Sequence, residues 1–88
     1  MGFRLRWTAK STIHISRHGL FPGEVEEALQ GRIYKRRSGN IVKVIGRSGR
    51  GILIVVLTPS TDRPGISEVV TARPATWAEK RLFLRRRK

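Results

Sequence analysis

The sequence predicts a small α+β domain in which a helical hairpin and a C-terminal helix pack on a four-stranded antiparallel sheet. Three observations predict this class. The 88 residues are enough for one domain. The apolar pattern changes from helical spacing to alternation after Gly31. The connections between the four later apolar segments are too short for parallel neighbours. We therefore expect residues 1–88 to form a single domain with the element order ααββββα.

The N-terminal segment predicts a short edge strand and then a helix. Phe3 to Trp7 alternate apolar and basic residues, as a short edge strand does. From about Thr8 to His18 the spacing around Ile13 fits a first helix. Gly19 is suited to the left-handed conformation that ends such a helix.

A second, short helix is predicted to open at Pro22, because proline is tolerated in a first helical turn. Three glutamates in this helix favour the positive end of its dipole: Glu24, Glu26 and Glu27. Its buried stripe comprises Val25, Ala28 and Leu29. Gln30-Gly31 ends it, so the two helices form a hairpin.

Four strands are predicted after the hairpin: Arg32 to Arg37, Ile41 to Gly46, Ile52 to Thr58 and Ile66 to Arg73. The segment from Ile52 to Leu57 is apolar at every position, as expected for a central strand covered on both faces. Simple alternation in the last strand places Val69, Thr71 and Arg73 on one face.

A final helix is predicted to begin at Thr76, since Thr76 to Glu79 match a capping box. The apolar side of this helix is expected to include Trp77, Ala78, Leu82 and Leu84.

The charge of the chain indicates a polyanionic partner. The net charge is +13, and arginine outnumbers lysine by 14 to 5. A planar guanidinium suits bidentate contact with phosphate, so we favour a nucleic acid over a solvated basic surface or an adaptation to heat or to a GC-rich genome. The residues expected to contact RNA are Arg36, Arg37, Lys43, Arg50, Lys80, Arg85, Arg86 and Arg87.

Several other function classes receive little support. The chain has no cysteine, and His14 and His18 have helical i, i+4 spacing but no third metal ligand beside them. We therefore expect neither a metal nor any other cofactor. No segment resembles a signal peptide, and the longest apolar run is far shorter than a membrane span. These features predict a soluble, cytoplasmic protein without membrane contact.

Cleavage of RNA through its 2′-hydroxyl requires cations and a proton acceptor but no metal. Candidate groups stand at strand ends and on the first turns of the final helix: Arg47, Arg73, Glu79, Lys80 and Arg81. A structural alternative is equally consistent with the sequence, because Arg73 could simply pair with Glu79. His18 beside Gly19 is better explained as a cation at a helix end than as a general base.

Three segments together resemble the BrnT family of toxins. Ile15 to Leu20 and the glutamate-rich helix start look like the family's helical hairpin, and Val44 to Arg47 resemble its Val-Ile-Gly-Arg strand end. Val69 to Arg81 are similar to its Ile-Ser-Ala-Arg-x-Ala-Thr-x-x-Glu-Arg-Arg segment. The similarity runs from about Trp7 to Phe83. Four positions depart from the pattern: Thr8 replaces an aspartate after the tryptophan, Arg17 replaces the usual lysine before His-Gly, Glu68 replaces a common arginine, and the expected tyrosine near Phe83 is absent.

The resemblance implies a RelE-like fold, endoribonuclease activity and neutralisation by a cognate antitoxin protein. It also implies that four residues line the catalytic site: Arg47, Arg73, Glu79 and Arg81. The leading hypothesis is thus a metal-independent endoribonuclease toxin of a toxin–antitoxin pair. The alternatives are a non-catalytic RNA-binding module and an interaction protein for an acidic partner.

Overall fold

The computed structural model describes residues 3–61 and 63–85. In this part of the chain the elements are β1 (Leu5–Arg6), α1 (Ala9–Ser16), α2 (Pro22–Gln30), β2 (Ile33–Ser38), β3 (Ile41–Ser48), β4 (Gly51–Pro59), β5 (Ser67–Pro74) and α3 (Trp77–Arg85). The α+β class is therefore confirmed. None of the described helices has the length and apolar character needed to cross a membrane.

The described strands form one mixed sheet of five strands, in the order β1-β5-β4-β3-β2, instead of the predicted four-stranded antiparallel sheet. The difference is β1, which pairs parallel to β5 through Leu5↔Ser67 and Arg6↔Glu68. The other neighbours are antiparallel, as expected from their short connections. A two-residue strand carries almost no periodicity of its own, so its parallel partner was not predictable from local pattern.

The two faces of the sheet are covered by different helices. On the hairpin face, the two helices and their connection bury Ile15, Leu20, Val25, Ala28 and Leu29 against Val44, Leu53, Val55, Leu57, Val69 and Ala72. On the α3 face, the buried cluster consists of Phe83, Ile45 and Ile54. Alternate residues of β4 therefore enter opposite cores, which confirms β4 as a central strand covered on both sides.

The glutamates of α2 connect the hairpin to the rest of the protein. Glu24 accepts a hydrogen bond from the backbone N–H of Phe21 at 2.9 Å and pairs with Nε of Arg50 at 2.7 Å. Glu27 accepts from the backbone N–H of Gly49 at 3.0 Å, at the turn between β3 and β4. These contacts hold that turn against α2.

A bulge in β5 changes which residues share a face. Leu57 pairs with Val69 and Val56 pairs with Thr71, so Val70 has no register partner on β4. Val69 consequently packs in the hairpin core, whereas Arg73 lies opposite Ile54 on the α3 face. The expectation that Val69 and Arg73 share one face is wrong because the bulge inserts one residue into the alternation.

The buried side of α3 also differs from the sequence expectation. Trp77 is 73% exposed and Leu84 is 40% exposed, whereas Phe83 is only 2% exposed. The side that faces the sheet instead carries Glu79, Leu82 and Phe83. Apolar content alone placed Trp77 in the core, but the contacts of Glu79 described below fix the rotation of the helix.

Candidate nucleic-acid interface

A cleft of about 360 Å³ opens on the α3 face, between α3 and the strands β2, β3 and β4. Its apolar floor consists of Ile45, Ile54 and Leu82. Its polar lining includes Tyr34, Arg36, Lys43 and Glu79. Strand alternation brings these groups together, because Tyr34 and Arg36 are two residues apart on β2 and therefore point to the same face.

Two cations lie directly opposite each other at this cleft. Arg36 pairs in register with Lys43, and both side chains are exposed. No ion pair between described residues involves either one. Like charges in a directly opposed cross-strand pair are destabilising, so this pair would be favoured by an anion that bridges it. We call Arg36 and Lys43 the cleft pair.

The wall of the cleft is formed by a bidentate ion pair between β5 and α3. Arg73 donates from Nη1 to Oε1 of Glu79 at 2.9 Å and from Nη2 to Oε2 at 2.8 Å. The same carboxylate accepts the backbone N–H of Thr76 at 2.8 Å, while Oγ1 of Thr76 accepts the backbone N–H of Glu79 at 3.2 Å. The predicted capping box is thus confirmed, and Arg73 extends it onto the sheet.

These hydrogen bonds shift the acid–base properties of both partners. The hydrogen bonds from Arg73 hold the pKa of Glu79 below its usual value of 4.5, an effect that burial opposes and the backbone of Thr76 reinforces. The hydrogen bonds to Glu79 likewise raise the pKa of Arg73. Glu79 is therefore ionised at neutral pH, and the two side chains together carry no net charge.

The lowered pKa of Glu79 predicts a pH-dependent stability. A carboxylate with a depressed folded-state pKa stabilises the fold above its unfolded pKa and loses that contribution as the pH falls through the folded value. We expect Glu79→Gln to cost about 1–3 kcal/mol at neutral pH, and this difference from the wild type to shrink below about pH 4. Thermal melting of both proteins across pH measures it. A difference that stays constant down to acid pH would contradict the assignment.

A second pair of cations lies on the α3 face beyond the cleft. The register Ile33↔Gly46 places Arg32, which immediately precedes β2, beside Arg47 on β3. The Cζ atoms of Arg32 and Arg47 lie 4.4 and 5.9 Å from the centroid of the Phe83 ring. Nη1 of Arg32 also donates to the backbone carbonyl of Phe83 at 3.2 Å. We call Arg32 and Arg47 the ring pair.

The structure brings together only part of the predicted site. Glu79 lines the cleft with the cleft pair, and Arg73 is bonded to Glu79. Arg47 lies on the same face, two residues beyond the floor residue Ile45. Arg81 does not join this group, since it is exposed and two residues from Glu79 along α3, which directs it away from the sheet.

The remaining predicted RNA contacts are dispersed. Arg37 alternates with Arg36 and therefore points to the hairpin face, and Arg50 is paired with Glu24. Lys80 is half-buried on α3, and Arg85 is exposed at its end. Arg86 and Arg87 lie outside the described residues.

Sequence reasoning missed two residues of this surface. Tyr34 is the single tyrosine of the chain and lines the cleft beside Arg36. Arg32 contacts Phe83 across the sheet. Tyr34 could have been predicted from the alternation along β2, because residues two apart on a strand share a face and Tyr34 is two residues from Arg36. No local signal could have placed Arg32 over a ring 51 residues away.

The described residues contain no group of three or more His, Asp or Glu side chains that could hold a metal ion. Comparisons with protein-family models, curated proteins and solved structures find no match to this chain. The charged and polar side chains at the cleft and its wall comprise two guanidinium groups, an ammonium group, a phenol and an ionised carboxylate.

Proposed function

We propose that this protein is a metal-independent endoribonuclease that binds RNA in the cleft on the α3 face and acts as the toxin of a toxin–antitoxin pair. One observation carries the RNA part of the proposal. The cleft pair presents two exposed, unneutralised cations beside an aromatic side chain and the Arg73–Glu79 wall. A phosphodiester would satisfy these cations, because its charged oxygens accept hydrogen bonds from guanidinium and ammonium groups.

The cleavage step uses the RNA's own nucleophile. The 2′-oxygen attacks the adjacent phosphorus, the bond to the 5′-oxygen breaks, and the products are a 2′,3′-cyclic phosphate and a 5′-hydroxyl. Arg36 and Lys43 stabilise the charge that develops on the phosphorane. Glu79 is the carboxylate of the cleft and accepts the 2′-hydroxyl proton, while a cationic neighbour or water protonates the leaving oxygen.

The toxin part of the proposal rests on the resemblance to the BrnT family. The helical hairpin, the meander of β2 to β5 and the C-terminal helix are compatible with the RelE-like fold that this resemblance implies. Under this proposal a cognate antitoxin neutralises the protein in the cytoplasm. Arg81 is exposed on the side of α3 that faces away from the cleft.

A second candidate function is RNA binding without cleavage. It is favoured by the mutual engagement of Arg73 and Glu79, because a carboxylate that accepts two hydrogen bonds from a guanidinium is a weak proton acceptor. The two candidates share the cleft pair and differ in whether the bound RNA is cut.

The proposal is tested with purified RNA in the presence of a chelator. We expect cleavage to persist without free metal and to leave 2′,3′-cyclic phosphate ends. Binding of uncleavable 2′-O-methyl RNA should weaken as salt rises, and Arg36→Gln with Lys43→Gln should flatten the slope of log affinity against log salt by about 1.4, which is about 0.7 for each lost contact.

Arg63→Gln is the matched control, since it removes one exposed arginine from a loop away from the cleft. Bound RNA that remains intact would support the second candidate function. Binding with equal slopes in the wild type and in the cleft-pair variant would contradict the proposed RNA site.

A further inference from the structure

We propose that the ring pair, Arg32 and Arg47, is a second phosphate-binding site, so that bound RNA contacts the protein on both sides of α3. This inference rests on the proposed function and specifies how the RNA is held. It implies an RNA segment longer than the one nucleotide step at which cleavage occurs.

The ring pair places two like charges at one aromatic ring. Two guanidinium groups, one just before β2 and one on β3, share one phenylalanine ring, with their Cζ atoms 4.4 and 5.9 Å from its centroid. Both arginines are exposed, and no ion pair in the part of the chain that the structure describes involves either of them. Adjacent like charges repel across strands, and a phosphate between them would reverse the sign of that interaction.

The ring holds the guanidinium groups in an orientation suited to phosphate. Phe83 is buried, so the face on which Arg32 stacks is fixed by the core of the α3 face. A stacked guanidinium keeps N–H donors at its edge, and these donors match the oxygens of a phosphate group. Within the part of the chain that the structure describes, the side chain of Arg47 makes no hydrogen bond, and it contacts this ring.

The cleft pair and the ring pair cannot bind the same phosphate. Lys43 and Arg47 are both on the α3 face of β3, and Ile45 lies between them beneath α3. Four residues of a strand span about 13 Å, which is well beyond the size of one phosphate group. A nucleic-acid backbone has repeated phosphates and can satisfy both pairs, whereas a mononucleotide can satisfy only one.

The proposal is tested by measuring the affinity of 2′-O-methyl RNA oligonucleotides of two lengths. A dinucleotide carries a single linking phosphate, and a strand of about ten nucleotides is within the usual site size of single-strand binding proteins. We expect Arg47→Gln to affect the dinucleotide, whose one phosphate occupies a single pair, less than the longer strand, which occupies both pairs. For the longer strand, it should weaken binding and flatten the salt slope by about 0.7. Arg32→Gln should act in the same direction.

Arg63→Gln serves as the control for the loss of one charge, and melting temperatures verify that each variant folds. Arg47→Gln is the primary variant because Arg32 also bonds to the carbonyl of Phe83. The proposal is overturned if both ring-pair variants bind the longer strand with the same affinity and the same salt slope as Arg63→Gln. The ring pair would then only cover Phe83. If salt-dependent binding is lost in the cleft-pair variant but not in the ring-pair variants, the proposed function stands and the second site does not.

Discussion

Arg73→Ala is expected to lower RNA cleavage by about 10²–10³, within the usual contribution of general base catalysis, because Arg73 positions the proposed proton acceptor Glu79. Arg73 lies at the cleft wall, beside the start of α3, where backbone amides add positive potential. It also sets the position of Glu79 through two hydrogen bonds of 2.9 and 2.8 Å. Its removal therefore both withdraws a cation and releases the carboxylate that we propose as proton acceptor.

The measurement is single-turnover cleavage of RNA together with thermal melting. Arg73→Ala leaves a partly buried carboxylate with fewer partners, so we also expect a loss of stability of about 1–3 kcal/mol. Arg73→Lys keeps the charge but cannot make the bidentate pair, and it should retain more activity than alanine if charge dominates. Arg73→Ala and Glu79→Ala could instead destabilise the fold to similar degrees, with activity falling only in step with unfolding. In that case the role of Arg73 is purely structural and the catalytic assignment is wrong.

Gly46→Ala is expected to be the most destabilising small substitution in the protein. A Cβ at Gly46 would lie 2.9 Å from the carbonyl carbon of Ala28 and closer still to its oxygen. The obstacle is the backbone of α2, which cannot rotate away as a flexible side chain would. The helix must move off the sheet, so we expect a cost of about 3 kcal/mol. For a domain of this size that lowers the melting temperature by roughly 12–24 °C.

Gly23→Ala is the matched control. Gly23 is in α2 with nothing within 4 Å of a Cβ built on it, and alanine is the better helix former. We expect this variant to melt at or above the wild-type temperature. A Gly46→Ala protein that melts within a degree or two of the wild type would show that α2 adjusts at little cost, and the close approach of α2 to β3 would then need no glycine.

Local chemistry predicted the elements of the fold well. Gly19 has a φ of 73° after α1, as its helix-ending position indicated. Pro22 begins α2, and Thr76 and Glu79 form the capping box at the start of α3. The continuous apolar run of β4 identified the central strand, since each of its faces must be covered by a helix. All these features depend on residues close together in the chain.

The candidate site was predicted less completely, because its members are distant in the chain. The number of cations could be read from the sequence. Whether a given arginine is available to a ligand depends on the residues that contact it in the fold. Arg50 is bonded to Glu24, 26 residues away, whereas Arg36 has a cation opposite it. The possible pairing of Arg73 with Glu79 was visible at six residues of separation, and the structure realises it as a bidentate contact.

The sequence by itself determined the α+β class, the helical hairpin, the central strand, the capped final helix and the excess of positive charge. These properties follow from periodicity, turn residues and composition, which act over a few residues. Only the tertiary structure decided the parallel pairing of β1, the faces assigned on β5 and the rotation of α3. A single bulged residue reverses every subsequent face of a strand, and the contacts of Glu79 and Phe83 rotate α3 so that Trp77 and Arg81 lie outward.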